Sequence, residues 1–332
     1  MKRTFFALIF ILCLAMSACT AAPGPNDGAG FLCADAQSCA VTGNKLMTAK
    51  RGSAKCFDLE GNELFEQPLE LLDASVSAGT SGTAAYCVGG STVVFDDGDM
   101  LMTENAIISV SLSDCGMTAV CTSEPGYKGS VTVYSAERSA VYKWYSADSD
   151  IITAAVSPDG ERLAVCTGME IHLLPLDKET DKSVFTSPEE LRDIRWLDDK
   201  VCGIGYGGVY ICDDDGESSG ECSFDGGVTG AFGVLDDEFI IEVREDEKSE
   251  VYIIDDDGDI DGKIEPNGSV LYIDGSGDRI IVLTQSTVSV YDHKVRLIWS
   301  HEVSGVSKAM LLNDGRILAV GGGMANILEN DR

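Results

Sequence analysis

Basic residues are scarce in this chain of 332 residues: Lys and Arg number 24 against 55 Asp and Glu, and the formal net charge is −31. The acidic excess is spread along the chain, with no basic run to offset it. This argues against nucleic acid as a partner, because phosphate is held by cationic side chains that neutralise it. Histidine is scarcer still. His172, His293 and His301 are the three imidazoles, and they lack the H-x-x-x-H spacing that would bring two of them to one metal. No C-x-x-C pair or H-E-x-x-H motif occurs, which removes the local signatures of structural zinc and zinc proteases. Carboxylates brought together from distant segments would leave no local signature, so catalysis is not expected but stays open. Long apolar runs are missing too, and the longest is shorter than the roughly 18 residues that cross a bilayer.

What is present begins with an address. Lys2-Arg3 precedes an apolar stretch over 4–16, and the small residues Ser17-Ala18 lead to Cys19, the layout of an export signal over 1–18. Ala15-Met16-Ser17-Ala18-Cys19 resembles the lipobox of bacterial lipoproteins. The resemblance implies cleavage before Cys19, lipidation of that residue, and a chain anchored on the extracytoplasmic side of a cell membrane. Two or three acyl chains hold stably where one would be marginal. Residues 19–43, rich in Ala, Gly, Pro and Asp, read as the lipidated Cys and a flexible tether, whose 20–43 portion reaches at most about 80 Å.

From Asn44 to about residue 331 the pattern is of short strands, repeated. An apolar run breaks at an Asp/Gly turn and resumes as a second apolar run, most clearly in Val156-Ser157-Pro158-Asp159-Gly160-Glu161-Arg162-Leu163-Ala164-Val165. Equivalent turns centre on Gly82, Gly116, Asp199, Glu238, Gly277 and Gly315, a period of about 39 residues that marks a repeat architecture. A second hairpin follows each first one, as in 131–134 with 141–145 and 251–254 with 262–265. Four short strands per unit leave no room for crossover helices, and four-stranded antiparallel units repeated radially form a β-propeller. The expected fold is an all-β propeller of seven four-stranded blades, with the hairpin at 54–59 and 63–65 completing the last blade. The leftover run 46–49 keeps eight blades open.

The turn Ser157-Pro158-Asp159-Gly160 resembles that of WD-like and periplasmic propeller repeats. Val290-Tyr291-Asp292 followed by Ile298-Trp299 is similar to quinoprotein-type repeats. No Trp-Asp closes a repeat and no Gly-His opens one, so the chain departs from the strict WD pattern. A lipid anchor ahead of a propeller also resembles the layout of the barrel-assembly lipoproteins, eight-bladed binding scaffolds.

Asp257, Asp259 and Asp261 open a D-x-D-x-D-G run like that of a calcium loop, but its twelfth position is Gly268 instead of Glu. Tight turns use the same residues, so turn chemistry is the expected role and no cofactor is expected, weak calcium binding being the alternative. Cys87, Cys121 and Cys166 recur at one place in successive units and read as small buried apolar residues. Cys33 with Cys39, and Cys212 with Cys222, are candidate disulfides on an oxidising side of the membrane. The expected function is binding of a protein or peptide partner in the cell envelope through loops on one face. Candidate loops are 122–129 with Tyr127 and Lys128, 244–250 with Arg244 and Glu245, 205–208 and 146–150. The alternative is a carbohydrate-binding, hydrolytic or lyase propeller using carboxylates at the channel mouth.

Overall fold

The computed structural model describes residues 30–33, 35–177, 182–235, 238–246 and 248–329. Its 32 strands form eight four-stranded antiparallel sheets. Seven follow chain order: blade 1 (38–68), blade 2 (74–102), blade 3 (107–146), blade 4 (153–186), blade 5 (191–223), blade 6 (228–264) and blade 7 (270–302). Blade 8 takes three strands from 308–328 and its outer strand, Gly30–Leu32, from the other end of the chain.

The count is therefore eight, the alternative that the run 46–49 kept open, and not seven. That run belongs to Lys45–Lys50, the second strand of a complete blade 1, and the hairpin expected to close the ring supplies that blade's third and fourth strands. Closure falls to three residues, with Gly30 opposite Asn326 and Leu32 opposite Met324. The ring thus begins well before Asn44 and takes in much of the expected tether. Ser38–Thr42 is short and small-sided, and its Gly43-Asn44 turn has the composition of a linker. The export signal, Cys19 and the first part of the tether lie outside the described residues.

The Asp/Gly turns shape each hairpin. At 157–160 the Gly160 amide donates to the Ser157 carbonyl (3.0 Å), the Asp159 carboxylate accepts from the Glu161 amide (2.9 Å), and Gly160 takes φ 78°. An L side chain disfavours that conformation and glycine does not. Second strands are buried on both faces, as in Thr118–Thr122 and Arg162–Cys166, so they read as continuous apolar runs. The core consists of eight apolar clusters, one in each junction between neighbouring blades. The cluster joining blades 8 and 1 holds Cys33, Leu46, Phe57, Leu318 and Ile327, so closure is a packed interface as well as a strand pairing. Cys87, Cys121 and Cys166 lie at or next to the ends of successive second strands, all buried and each in a different cluster. No helix among the described residues is long and apolar enough to cross a membrane.

Candidate functional site

A propeller of this connectivity has two unlike faces. One, the turn face, carries the turns between first and second strands and between third and fourth strands. The other, the connection face, carries the second-to-third turns and the links from blade to blade. The turn face holds the Asp runs: Asp96-Asp97-Gly98-Asp99, Asp213-Asp214-Asp215-Gly216 and Asp255-Asp256-Asp257-Gly258-Asp259. Among the described residues none of its turns exposes a large hydrophobic side chain.

The Asp runs have a repeated packing role. The residue that opens the second strand of one blade reaches the third-to-fourth turn of the next. Lys45 donates to the Asp96 carbonyl (3.1 Å), Arg162 pairs with Asp214 (2.8 Å), and Lys200 pairs with Asp256 (2.7 Å) and Asp257 (3.0 Å). The candidate calcium run is thus held by a lysine of blade 5. Its organising carboxylate is Asp255, which accepts the amides of Asp257 (3.1 Å) and Asp259 (2.8 Å). No group of three or more metal-ligating side chains is gathered among the described residues.

On the connection face, apolar side chains stand out from the second-to-third turns or the links. Leu71 (80% exposed) and Leu72 follow blade 1, Val88 is on blade 2, Tyr127 on blade 3, and Met169 on blade 4. Tyr206 on blade 5 continues the arc, and Val228 and Leu271 extend it from the connection-face ends of the first strands of blades 6 and 7. The remaining exposed large hydrophobics lie on the outer strands of blades.

All four loops singled out from the sequence lie on this connection face. Tyr127 packs on Tyr145 with ring centroids 4.8 Å apart and planes tilted by 36°, and the Lys143 ammonium sits 4.8 Å from the Tyr145 ring. Lys128 lies 3.9 Å from Asp150. Glu245 is exposed beside its cross-strand partner Lys248. Arg244 is engaged within the protein: it grips the fully buried Glu242 through two bonds (2.8 and 2.6 Å), and Glu242 also accepts from the Ser249 hydroxyl and the Ala231 amide.

The first strands of the blades surround a central channel of about 640 Å³. Its wall includes Arg192, Asp193, Arg195 and Trp196 from blade 5, Phe232 from blade 6, Tyr272 and Asp274 from blade 7, and Lys308 from blade 8. Arg195 pairs with Asp193 (2.6 Å) and lies over the Phe232 ring. Arg192 donates to the Gly230 carbonyl (2.7 Å) and the Thr229 hydroxyl (3.1 Å). Lys308 donates to the Cys39 carbonyl (2.7 Å) and sits over Tyr272. Burial raises the Asp274 carboxyl to about 6, although it accepts the Leu311 amide (3.1 Å). These residues escaped the sequence reading because they come from four separate units. The available signal was the polar pairs between apolar positions in Leu191-Arg192-Asp193-Ile194-Arg195-Trp196-Leu197.

The histidines are not gathered. In blade 4 His172 contacts Thr167 (3.1 Å) and Glu170 (3.3 Å) and packs against Trp144 of blade 3, with its pKa lowered by burial, and His301 stacks on Trp299 in blade 7. Cys39, Cys212 and Cys222 are free thiols. Strand register places Cys222 opposite Val209 and Cys212 opposite Ser218, which keeps the second candidate pair apart. Cys33 and Cys39 share the closing cluster between blades 8 and 1, where burial raises both thiols.

Residues 33–169 match a family of unknown function (DUF5711). No curated protein matches the chain. Among solved structures, BamB from Moraxella catarrhalis is similar over 90% of this chain and 98% of its own, with a TM-score of 0.62 and 11% identity. Sqt1 from Saccharomyces cerevisiae is similar over 92% of this chain and 99% of its own, with a TM-score of 0.69 and 10% identity. At such identities the likeness is one of fold, and the fold is the β-propeller.

Proposed function

We propose that this chain is a cell-envelope lipoprotein, anchored through Cys19, whose propeller is a scaffold for a protein or peptide partner. The observation that carries the reading is the difference between the faces. Every exposed large hydrophobic of the described turns and links stands on the connection face, whereas on the turn-face side Met100, Ile260 and Leu297 are exposed only where they open the outer strands of their blades. Apolar groups gathered on one side of a monomer mark interaction surfaces, and tyrosines are favoured anchors there. A rigid ring with its contacts in connecting loops suits a binding scaffold. Carboxylates at the channel suit the second reading less well, since Asp193 is paired with Arg195 and Asp274 supports the backbone of blade 8.

In-cell crosslinking of the tagged full chain, with mass spectrometry of the captured peptides, tests the proposal. A recurrent protein linked through the connection face is expected, and its recovery should drop in Tyr206→Ala and Leu71→Ala. Recovery of no recurrent protein, or of one linked through the turn face, would overturn it.

A further inference from the structure

The route of the chain into the ring sets which face meets the bilayer. Gly30–Leu32 pairs antiparallel with Met324–Leu328, a strand that leaves the Gly322-Gly323 turn on the connection face and ends at the turn face. The entering strand therefore runs from the turn face towards the connection face. Phe31 confirms the placement, lying against Phe57 and under Gly61 in a turn-face hairpin of blade 1. The chain N-terminal to Gly30 thus joins the ring from the turn-face side.

Only ten residues, 20–29, separate Cys19 from Gly30. Fully extended, ten residues reach at most about 35 Å. A strand of six residues already occupies about 20 Å. To lay the connection face on lipid, the segment would have to run back along the whole outer edge of blade 8. To lay the turn face towards lipid, it need only hang from where it joins.

We infer that the anchored ring stands with its turn face towards the bilayer and its apolar arc towards the aqueous compartment, so that the occupant of that arc is a protein and not the membrane. This rests on anchoring at Cys19, as proposed above. The composition of the arc agrees. It mixes Leu71, Tyr127 and Tyr206 with Glu124, Glu189 and Asp225, and Arg51, Lys128 and Arg244 beside it each face a carboxylate (Asp73, Asp150 and Glu242) instead of forming the free cationic surround with which peripheral faces grip anionic lipid. It also passes from blade 1 to blade 7 around the channel mouth, a footprint broad enough for a folded protein.

The turn face carries a native probe site, since Cys115 is exposed in the first turn of blade 3. The acylated full chain is bound to phosphatidylcholine vesicles doped with an acceptor dye, and energy transfer is measured from a donor on Cys115. The measurement is repeated with the donor on Tyr206→Cys in a Cys115→Ser background. Transfer is expected to be stronger from Cys115 than from the Tyr206→Cys site. Equal or stronger transfer from the Tyr206→Cys site overturns the orientation while leaving the anchor in place. Absence of transfer from both, with an unacylated N-terminal peptide by mass, overturns the anchor and the orientation with it.

Discussion

Asp274 shows how position in the ring changes a side chain's chemistry. It is ringed by Tyr272, Lys308 and the amides of Gly275 and Leu311, and burial raises its carboxyl from 3.8 to about 6. The folded chain therefore holds this proton more tightly than the unfolded chain between about pH 4 and 6. Its contribution to stability falls as pH rises through that window and is constant above it. Asp274→Asn should stabilise the protein at pH 7 by at most about 3 kcal/mol, and the gain over the parent should vanish near pH 4. Denaturant titrations of both proteins across that range would check it. Arg244 gives the opposite case. Arg244→Ala leaves the buried Glu242 carboxylate without its cation and should cost about 2 kcal/mol or more, read as a lowered denaturation midpoint. Tyr206→Ala touches no such network and should stay within about 0.5 kcal/mol of the parent, so a loss of partner recovery there reports binding.

At the scale of strands and turns, the ring depends on how blades are joined. Gly30–Leu32 is a short strand that closes the circle, and Phe31 packs across the junction onto Phe57 with ring centroids 6.1 Å apart. Phe31→Ala should cost about 2 kcal/mol, below the range for a fully buried aromatic because the side chain is only half-buried. Removing residues through Leu32 uncovers the edge of Met324–Leu328, and light scattering should then detect association. The interblade ion pairs act more weakly. Lys200 bridges to largely exposed carboxylates, so Lys200→Met should cost under about 1 kcal/mol. With that lysine in place, millimolar calcium should leave the parent's melting temperature unchanged; a clear rise would show that the run at 255–259 holds a cation after all.

Across the whole molecule, 55 acidic residues against 24 basic ones make the folded ring repel itself. Raising ionic strength from about 0.01 M to 0.15 M shortens the screening length from about 30 Å to 8 Å and should raise the melting temperature. The ion pairs between blades work against this trend, and they are few beside the unpaired carboxylates. The charge is also distributed unevenly in kind. Asp runs crowd the turn face, where they cap hairpins, and the connection face combines carboxylates with aromatic and aliphatic groups.

The sequence by itself determined the repeat, the strand-turn-strand units and the all-β propeller, because apolar periodicity and Asp/Gly turns are local and survive without neighbours. The turns at Gly160 and Gly258 were legible for the same reason. Tertiary structure decided what depends on distant partners. A three-residue strand, Gly30–Leu32, carries too little pattern to be recognised until its partner at Met324–Leu328 is in place, so the eighth blade was only an alternative. Pairing register kept Cys212 from Cys222, and the neighbouring blade supplied the lysine that occupies Asp256 and Asp257. The channel wall and the apolar arc are each built from a few residues per blade. Only closing the ring brings such residues together, since in sequence they stand a full repeat apart.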